Sequence, residues 1–284
     1  MITILPGLIS MACWGIAIYL AATVSRKIGN VLTLFWMQVF GQSLGVIYFI
    51  RNIGSFNDNF TSFVPVLLLI ALCQIVAYLS FYRGMEKGQV SIVSPLGSTW
   101  SLITAVLGIT IYHEIVSAKQ ILSIVCIVIG ILSISFNLRE ILQTKKLELL
   151  GGVKEGILSM LGWGFAWFLT VMPTRELGWF LPTFIFRTFL IILIGAYLLY
   201  QKKKVITKHK FPWPELIVIG IFDMLAFFSL SIGIARTNSS IIAPIASANS
   251  IIVIMLAMFF LKEKLKWNQV AGIVLILFGI VTIT

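Results

Sequence analysis

Two charged residues stand deep inside otherwise apolar stretches of this chain, Arg187 and Asp223. A charge within hydrocarbon is costly, so each needs a chemical reason. One reading gives Arg187 an anionic substrate group to hold and gives Asp223 a proton to exchange during a coupled cycle. The other makes them a permanent ion pair that holds two helices together. At about 1.5 Å of rise per helical residue, Arg187 lies roughly 11 Å and Asp223 roughly 18 Å from the same membrane face, which permits a pair without requiring one.

Other polar and aromatic groups recur at helical spacing. Ser91, Ser94, Ser98 and Ser101 form one seam, and Ser240, Ala243, Ser247 and Ser250 form another. Such seams either let helices approach closely in lipid or line a hydrated cavity. Trp100 and Asn249 beside them favour the cavity, with Asn249 the better ligand donor. Gln38 and Gln74 are buried-amide candidates, and Trp14 and Trp163 sit mid-helix, away from the interfacial belt where Trp collects. They are either aromatic walls for a substrate or core packing. Tyr78, Tyr82 and Gln42 are weaker candidates of the same kind. Pro95 and Pro244 each remove a backbone hydrogen bond near a helix start, at Ser91 and Ser240, and predict either a kink or hinge there or a proline tolerated at a helix start with no part in motion. His113 and His209 are too isolated for metal binding or acid–base work, and Cys13, Cys73 and Cys126 have no metal-ligand spacing and read as small apolar core residues. No catalytic residue, metal or cofactor is expected.

The elements that carry these residues follow from composition. With 284 residues, 59% hydrophobic and 11% charged, the chain has too few charges to cover a soluble globule. Stretches of about 20 apolar residues recur with short polar breaks, at 4–25, 31–50, 64–83, 91–111, 118–137, 153–172, 180–200, 213–235, 240–261 and 267–283. These ten spans predict an all-α polytopic membrane protein. The first span lacks a basic leader and a small-residue cleavage site, and is expected to stay in the mature protein. The formal charge of +11 sits in short loops, which fits a membrane surface and membrane lipids rather than nucleic acid.

Sliding the chain against itself by 149 residues aligns 1–135 with 150–284 without a gap, with identity at 35 of 135 positions. GLISMACWGIAIYLAATVSRKIG from Gly7 falls on GILSMLGWGFAWFLTVMPTRELG from Gly156, and SIVSPLGSTWS from Ser91 on SIIAPIASANS from Ser240. Two repeats are therefore expected, residues 1–137 and 153–284, joined by a loop over 138–152. Five spans in each make the second repeat enter the membrane from the opposite side, so the repeats are inverted. Exchange of conformations between such halves is a route to alternating access. The matched partners of Arg187 and Asp223 are Gln38 and Gln74, an asymmetry that an asymmetric ligand would need.

The ten spans, the duplication, the Trp-Gly in the first helix of each half and the Glu closing each fourth helix, Glu114 and Glu263, resemble the drug/metabolite transporter superfamily, EamA type. The resemblance covers the whole chain. It implies a carrier with a central cavity between the halves and a structural role for each Glu at its helix end, and it chooses no substrate.

The connections after spans 1, 3, 5, 7 and 9 hold 16 Lys and Arg, including Lys202, Lys203, Lys204, Lys208 and Lys210, against four elsewhere, Arg51, Lys119, Arg175 and Arg236. The positive-inside rule then places both termini outside the cytoplasm. The resemblance implies the reverse, and the charge count, which belongs to this chain, is followed. The expected function is secondary active transport of a small organic metabolite across the cell membrane, with a proton as candidate coupling ion. A monomer and a homodimer are both compatible. A membrane-embedded enzyme acting on lipid would need paired catalytic groups that the spans lack, and a non-transporting assembly bundle is the third alternative.

Overall fold

A computed structural model describes residues 4–53, 58–87, 90–135, 152–202, 206, 211–261 and 267–283. The first half comprises α1 (Leu5–Ile28), α2 (Asn30–Arg51), a short 3-10 helix (Asp58–Phe63), α3 (Val64–Lys87), α4 (Val90–Ser98), α5 (Trp100–Thr110) and α6 (Ala118–Ser135). The second comprises α7 (Val153–Leu177), α8 (Leu181–Tyr200), α9 (Trp213–Arg236), α10 (Ser239–Ser247), α11 (Ser250–Leu261) and α12 (Trp267–Thr282). Seven helices are long and apolar enough to cross a membrane, and three shorter apolar ones, Leu96–Thr110, Ala118–Ile134 and Trp267–Thr282, bring the described set to the expected ten. The protein is an all-α, multi-pass membrane protein. Glu263, His209, Lys203, Lys204, Lys208, Lys210 and nearly all of the 138–152 connection lie outside the described residues.

Local sequence sets the helix ends. Pro6, Pro182 and Pro214 stand in the first turns of α1, α8 and α9, where a missing N–H costs nothing. α1 and α7 both stop at a glycine with positive φ, Gly29 at 85° and Gly178 at 82°, positions related by the 149-residue offset. Each reverses the chain into the next helix within a residue or two, which a side chain at that φ would strain.

The halves interlock. α1 packs on α9, and α3 on α7. Both pairs are antiparallel: Ser10 Oγ donates to the Ala226 carbonyl at 2.7 Å while Ser229 Oγ donates to the Pro6 carbonyl at 2.8 Å. α6 pairs with its counterpart α12, also antiparallel, with Asn268 Nδ2 on the Ser133 carbonyl at 2.9 Å and Ser123 Oγ 2.9 Å from Thr282 Oγ1. Small residues allow this approach. A Cβ on Gly272 would lie 2.6 Å from the Gly130 carbonyl oxygen and 3.0 Å from the Ile134 backbone nitrogen. The core lies between α1, α2 and α3 of one half and α7, α8 and α9 of the other. Large apolar side chains such as Ile192, Leu199, Val274, Phe278 and Val281 point outward, as lipid contact requires. The three cysteines are free and half-buried, so they sit at the margin of the core rather than within it.

The fourth span of each half is broken, and not where the prolines predicted. α4 gives way to α5 at Thr99, and α10 to α11 at Ala248–Asn249, both one turn beyond Pro95 and Pro244. The cause is local competition for carbonyls. Thr99 Oγ1 and Thr99 N both take the Leu96 carbonyl, at 2.6 and 3.3 Å, and Ser247 Oγ takes that of Pro244 at 2.9 Å. The chain passes each break in tight i→i+3 turns, Leu102 N to Thr99 O at 3.0 Å and Ile251 N to Ala248 O at 3.1 Å.

Gly272→Ala is expected to cost about 1–3 kcal/mol and to lower the thermal midpoint of the detergent-purified protein. Gly195→Ala, whose methyl first meets Phe35 Cε2 at 3.4 Å, should leave the midpoint unchanged or slightly higher. Equal midpoints for the two variants would mean that α6 and α12 do not meet backbone to backbone.

Candidate functional site

The two deep charges meet. Arg187 Nη1 donates to Asp223 Oδ2 at 2.8 Å, and both side chains are almost wholly buried, 0% and 2% exposed. The opposite carboxylate oxygen, Oδ1, accepts from Tyr78 OH at 2.9 Å and from Trp14 Nε1 at 3.3 Å. The arrangement joins four helices: α8 and α9 supply the pair, while α1 and α3 supply the neutral donors from the other half. The guanidinium also lies 4.7 Å from the Phe227 ring centroid. The matched amides Gln38 and Gln74 are fully buried, and neither has a hydrogen-bond partner among the described residues.

Asp223 opens onto an internal cavity. Its walls are largely aromatic: Trp14, Trp163, Trp167, Tyr78, Phe227 and Trp100 all line it. Trp14 meets Trp100, Trp167 and Phe227 edge-on at 6.1, 5.7 and 5.3 Å. Trp100 stacks on Trp167 at 5.8 Å, and Trp163 stands perpendicular to Tyr78 at 5.3 Å. Ser98 and Asn249 close one end, joined by a 3.1 Å hydrogen bond from Ser98 Oγ to Asn249 Oδ1. They flank the two helix breaks, so the interrupted spans deliver polar atoms to the cavity. Space for water centres amounts to about 30 Å³, enough for a water or two and too little for a metabolite.

Of the residues singled out in the sequence, Asp223, Trp14, Tyr78, Tyr82, Trp163, Trp100, Ser98 and Asn249 line this cavity. Arg187 reaches it only through Asp223 and Phe227. Ser247 turns aside, its Oγ 2.7 Å from Ser101 Oγ, and Gln42 Nε2 is spent on the Phe184 carbonyl and Thr188. Pro244 is buried within α10, and the side chain of Pro95 lies outside what the structure describes. Sequence inspection missed Trp167 and Phe227. Phe227 is the 149-offset match of Tyr78, and Trp167 is one turn beyond Trp163, so both signals were present.

The two ends of the molecule differ. At one end Tyr48, Trp179, Phe180, Phe184 and Phe228 form a continuous aromatic cluster, with centroids such as Tyr48–Phe180 at 4.5 Å and Trp179–Phe228 at 5.3 Å. Their offset matches are Tyr197, Asn30, Val31, Phe35 and Leu79. Four of these, Asn30, Val31, Leu79 and Tyr197, line an open hollow at the other end, beside Arg83, Lys87 and Lys154.

At the plugged end, Glu114 caps α10. Its carboxylate accepts from Ser239 N at 3.0 Å, Ser239 Oγ at 2.9 Å and Ser240 N at 2.8 Å, and pairs with Arg175 of α7. Burial alone would raise this carboxyl, but the backbone N–H groups of Ser240 and Ser239 and the Ser239 hydroxyl outweigh it and hold the group below its ordinary value. The structural role implied for Glu114 at its own helix end is thus exercised across the interface, on a helix of the other half.

The profile of the EamA-like transporter family matches residues 1–136 and again 151–284. A protein of Archaeoglobus fulgidus described as an uncharacterized transporter is 23% identical over 289 residues, covering 99% of this chain and 97% of that protein. An uncharacterized protein of Methanocaldococcus jannaschii is 26% identical over 136 residues, covering 47% of this chain and 96% of that protein. A solved crystal structure superposes with a TM-score of 0.75 at 13% identity, over 99% of this chain and 96% of that one, a likeness of fold.

Asp223→Asn leaves Arg187 buried without its counter-charge and should cost about 3–5 kcal/mol, lowering the thermal midpoint in detergent. Arg187→Met together with Asp223→Asn should recover most of that loss. A double variant that melts as low as the single one would remove the pair from the account. Glu114 contributes stability that is complete above its ordinary value of 4.5 and is lost as pH falls through its lowered folded value. Acid melting curves of Glu114→Gln should therefore be flatter below that pH than those of the parent.

Proposed function

The chain belongs to the EamA-like transporter family, and from that premise we propose that it is a secondary active carrier moving a small organic metabolite by alternating access between two inverted repeats. The repeats are residues 1–137 and 153–284. Antiparallel packing of counterpart helices α6 and α12 supports the inversion, and a relative that matches 47% of this chain over nearly its own full length supports the division into two repeats.

One observation carries the mechanism. Positions equivalent by the duplication are packed as an aromatic plug at one end and line an open hollow at the other. If the halves exchange conformations, the plug loosens and the hollow closes, and the cavity at Asp223 passes from one face to the other. A carrier rather than an enzyme fits a cavity whose one charged group, among the described lining residues, is Asp223. The hollow lies at the face with most Lys and Arg, so the charge rule puts it toward the cytoplasm, with both termini outside. Asp223 is the candidate proton carrier of the cycle.

The experiment uses a variant with Cys13, Cys73 and Cys126 replaced by Ala, bearing Leu79→Cys at the hollow or Phe228→Cys at the plug. A membrane-impermeant maleimide should label Leu79→Cys in inverted vesicles and leave Phe228→Cys protected. Giving the plug the residues of the hollow, Trp179→Asn with Phe180→Val, should expose Phe228→Cys from the other face and reduce labelling of Leu79→Cys. Labelling of both sites from one face, or no reciprocity, sinks alternating access. The proton assignment falls separately if the pH dependence of labelling survives in the Arg187→Met, Asp223→Asn variant.

A further inference from the structure

We propose that the central cavity selects an organic ammonium group on an apolar, ring-sized body and rejects anions. This deepens, and rests on, the carrier function proposed above. It also sets aside one of the two sequence-based readings, in which Arg187 holds an anionic substrate group.

Three features of the cavity point this way. The first is the distribution of charge. Among the described lining residues the one charged side chain is Asp223, and no Lys, Arg or His lines the space. Arg187 is wholly buried behind it, its Nη1 committed to Oδ2 at 2.8 Å and its guanidinium over Phe227. An anion entering the cavity would face a carboxylate without direct access to the cation that balances it.

The second is the walls. Eight of the fourteen lining residues are Trp, Tyr or Phe. Ring faces carry the negative part of the aromatic quadrupole, and Trp is the best of the three at attracting a cation placed over its face. Trp14, Trp100, Trp163 and Trp167 come from α1, α5 and α7, so the box is assembled from both halves. A cationic nitrogen is stabilised by such faces, and a carboxylate or phosphate is repelled by them.

The third is spare acceptor capacity. A carboxylate offers about four acceptor sites. Asp223 uses three, on Tyr78, Trp14 and Arg187. Its remaining lone pair and the Asn249 side chain, which already accepts from Ser98, are the polar features that an N–H or N-alkyl group would find. The free space of about 30 Å³ means that the ligand must displace the rings, and flexible Met37 in the wall gives room for that.

The experiment compares three probes that share one ring and differ in charge: benzyltrimethylammonium, benzyl alcohol and phenylacetate. Quenching of tryptophan fluorescence in the detergent-purified full-length protein gives each dissociation constant. The ammonium probe is expected to bind at least tenfold tighter than the alcohol, and phenylacetate more weakly than either. In the Arg187→Met, Asp223→Asn variant the ammonium preference over the alcohol should collapse to less than threefold. Should that variant fail to fold, Trp163→Leu, which leaves both members of the ion pair in place, should cost the ammonium probe more affinity than the alcohol. Phenylacetate binding as tightly as the ammonium probe, a preference that outlives both variants, or binding of none of the three overturns the proposal. These outcomes leave the labelling test of alternating access intact, since binding in detergent does not depend on exchange between faces.

Discussion

The structure turns on one buried carboxylate. Asp223 is the point at which α1, α3, α8 and α9 meet, and three donors converge on it, two neutral from one half and one cationic from the other. In a low-dielectric interior an ionised carboxylate is tolerable only when its lone pairs are met. Arg187 has the mirror problem, and two of its nitrogens find no partner among the described residues. Each charge is therefore the reason the other can stay. Because the supporting donors come from the opposite repeat, the condition for burying the pair is that the two halves pack together.

The broken spans solve a related problem. Irregular backbone at membrane depth is tolerated where protein or a cavity satisfies it. Here the freed groups are taken up within the same turn, with Thr99 and Ser247 hydroxyls supplying bonds that the helix ladder gives up. The outer end of α10 would leave its own first N–H groups bare, and Glu114 of the other half meets them. So α10 is held at both ends, by the buried Glu114 carboxylate at its outer end and by the Ser98–Asn249 bond just beyond its inner end. Both of those ties cross between the repeats.

Much of this was legible in residue types. Apolar stretches and their spacing gave the ten helices to within a few residues, because lipid leaves the backbone few alternatives. Their depth within apolar stretches singled out Arg187 and Asp223, the duplication set them against Gln38 and Gln74, and the structure joins the two charges. What could not be read was direction around each helix. Ser247 shares a seam with Ser240 and Ser250 yet turns to Ser101, and Phe227 was overlooked because an aromatic in an apolar helix looks like packing. The kink was placed at the prolines because their chemistry is visible one residue at a time. The break at Thr99 depends on hydroxyl rotamers that no spacing reveals.

In the alternating access proposed above, each half would move largely as a body, so bonds within a half would persist and bonds between halves would change. The Arg187–Asp223 bond joins α8 to α9 and lies inside the second half. The Tyr78 and Trp14 bonds to Asp223 cross the boundary. In that cycle, rocking of α1 and α3 against α9 would remove those two donors and expose Oδ1 as the cavity widens toward a face. A carboxylate that loses two neutral donors while keeping its cation is the group best placed to take a ligand nitrogen or a proton in their stead. In the proposed cycle the same bonds that steady the closed cavity would thus make its opening and its occupation a single event.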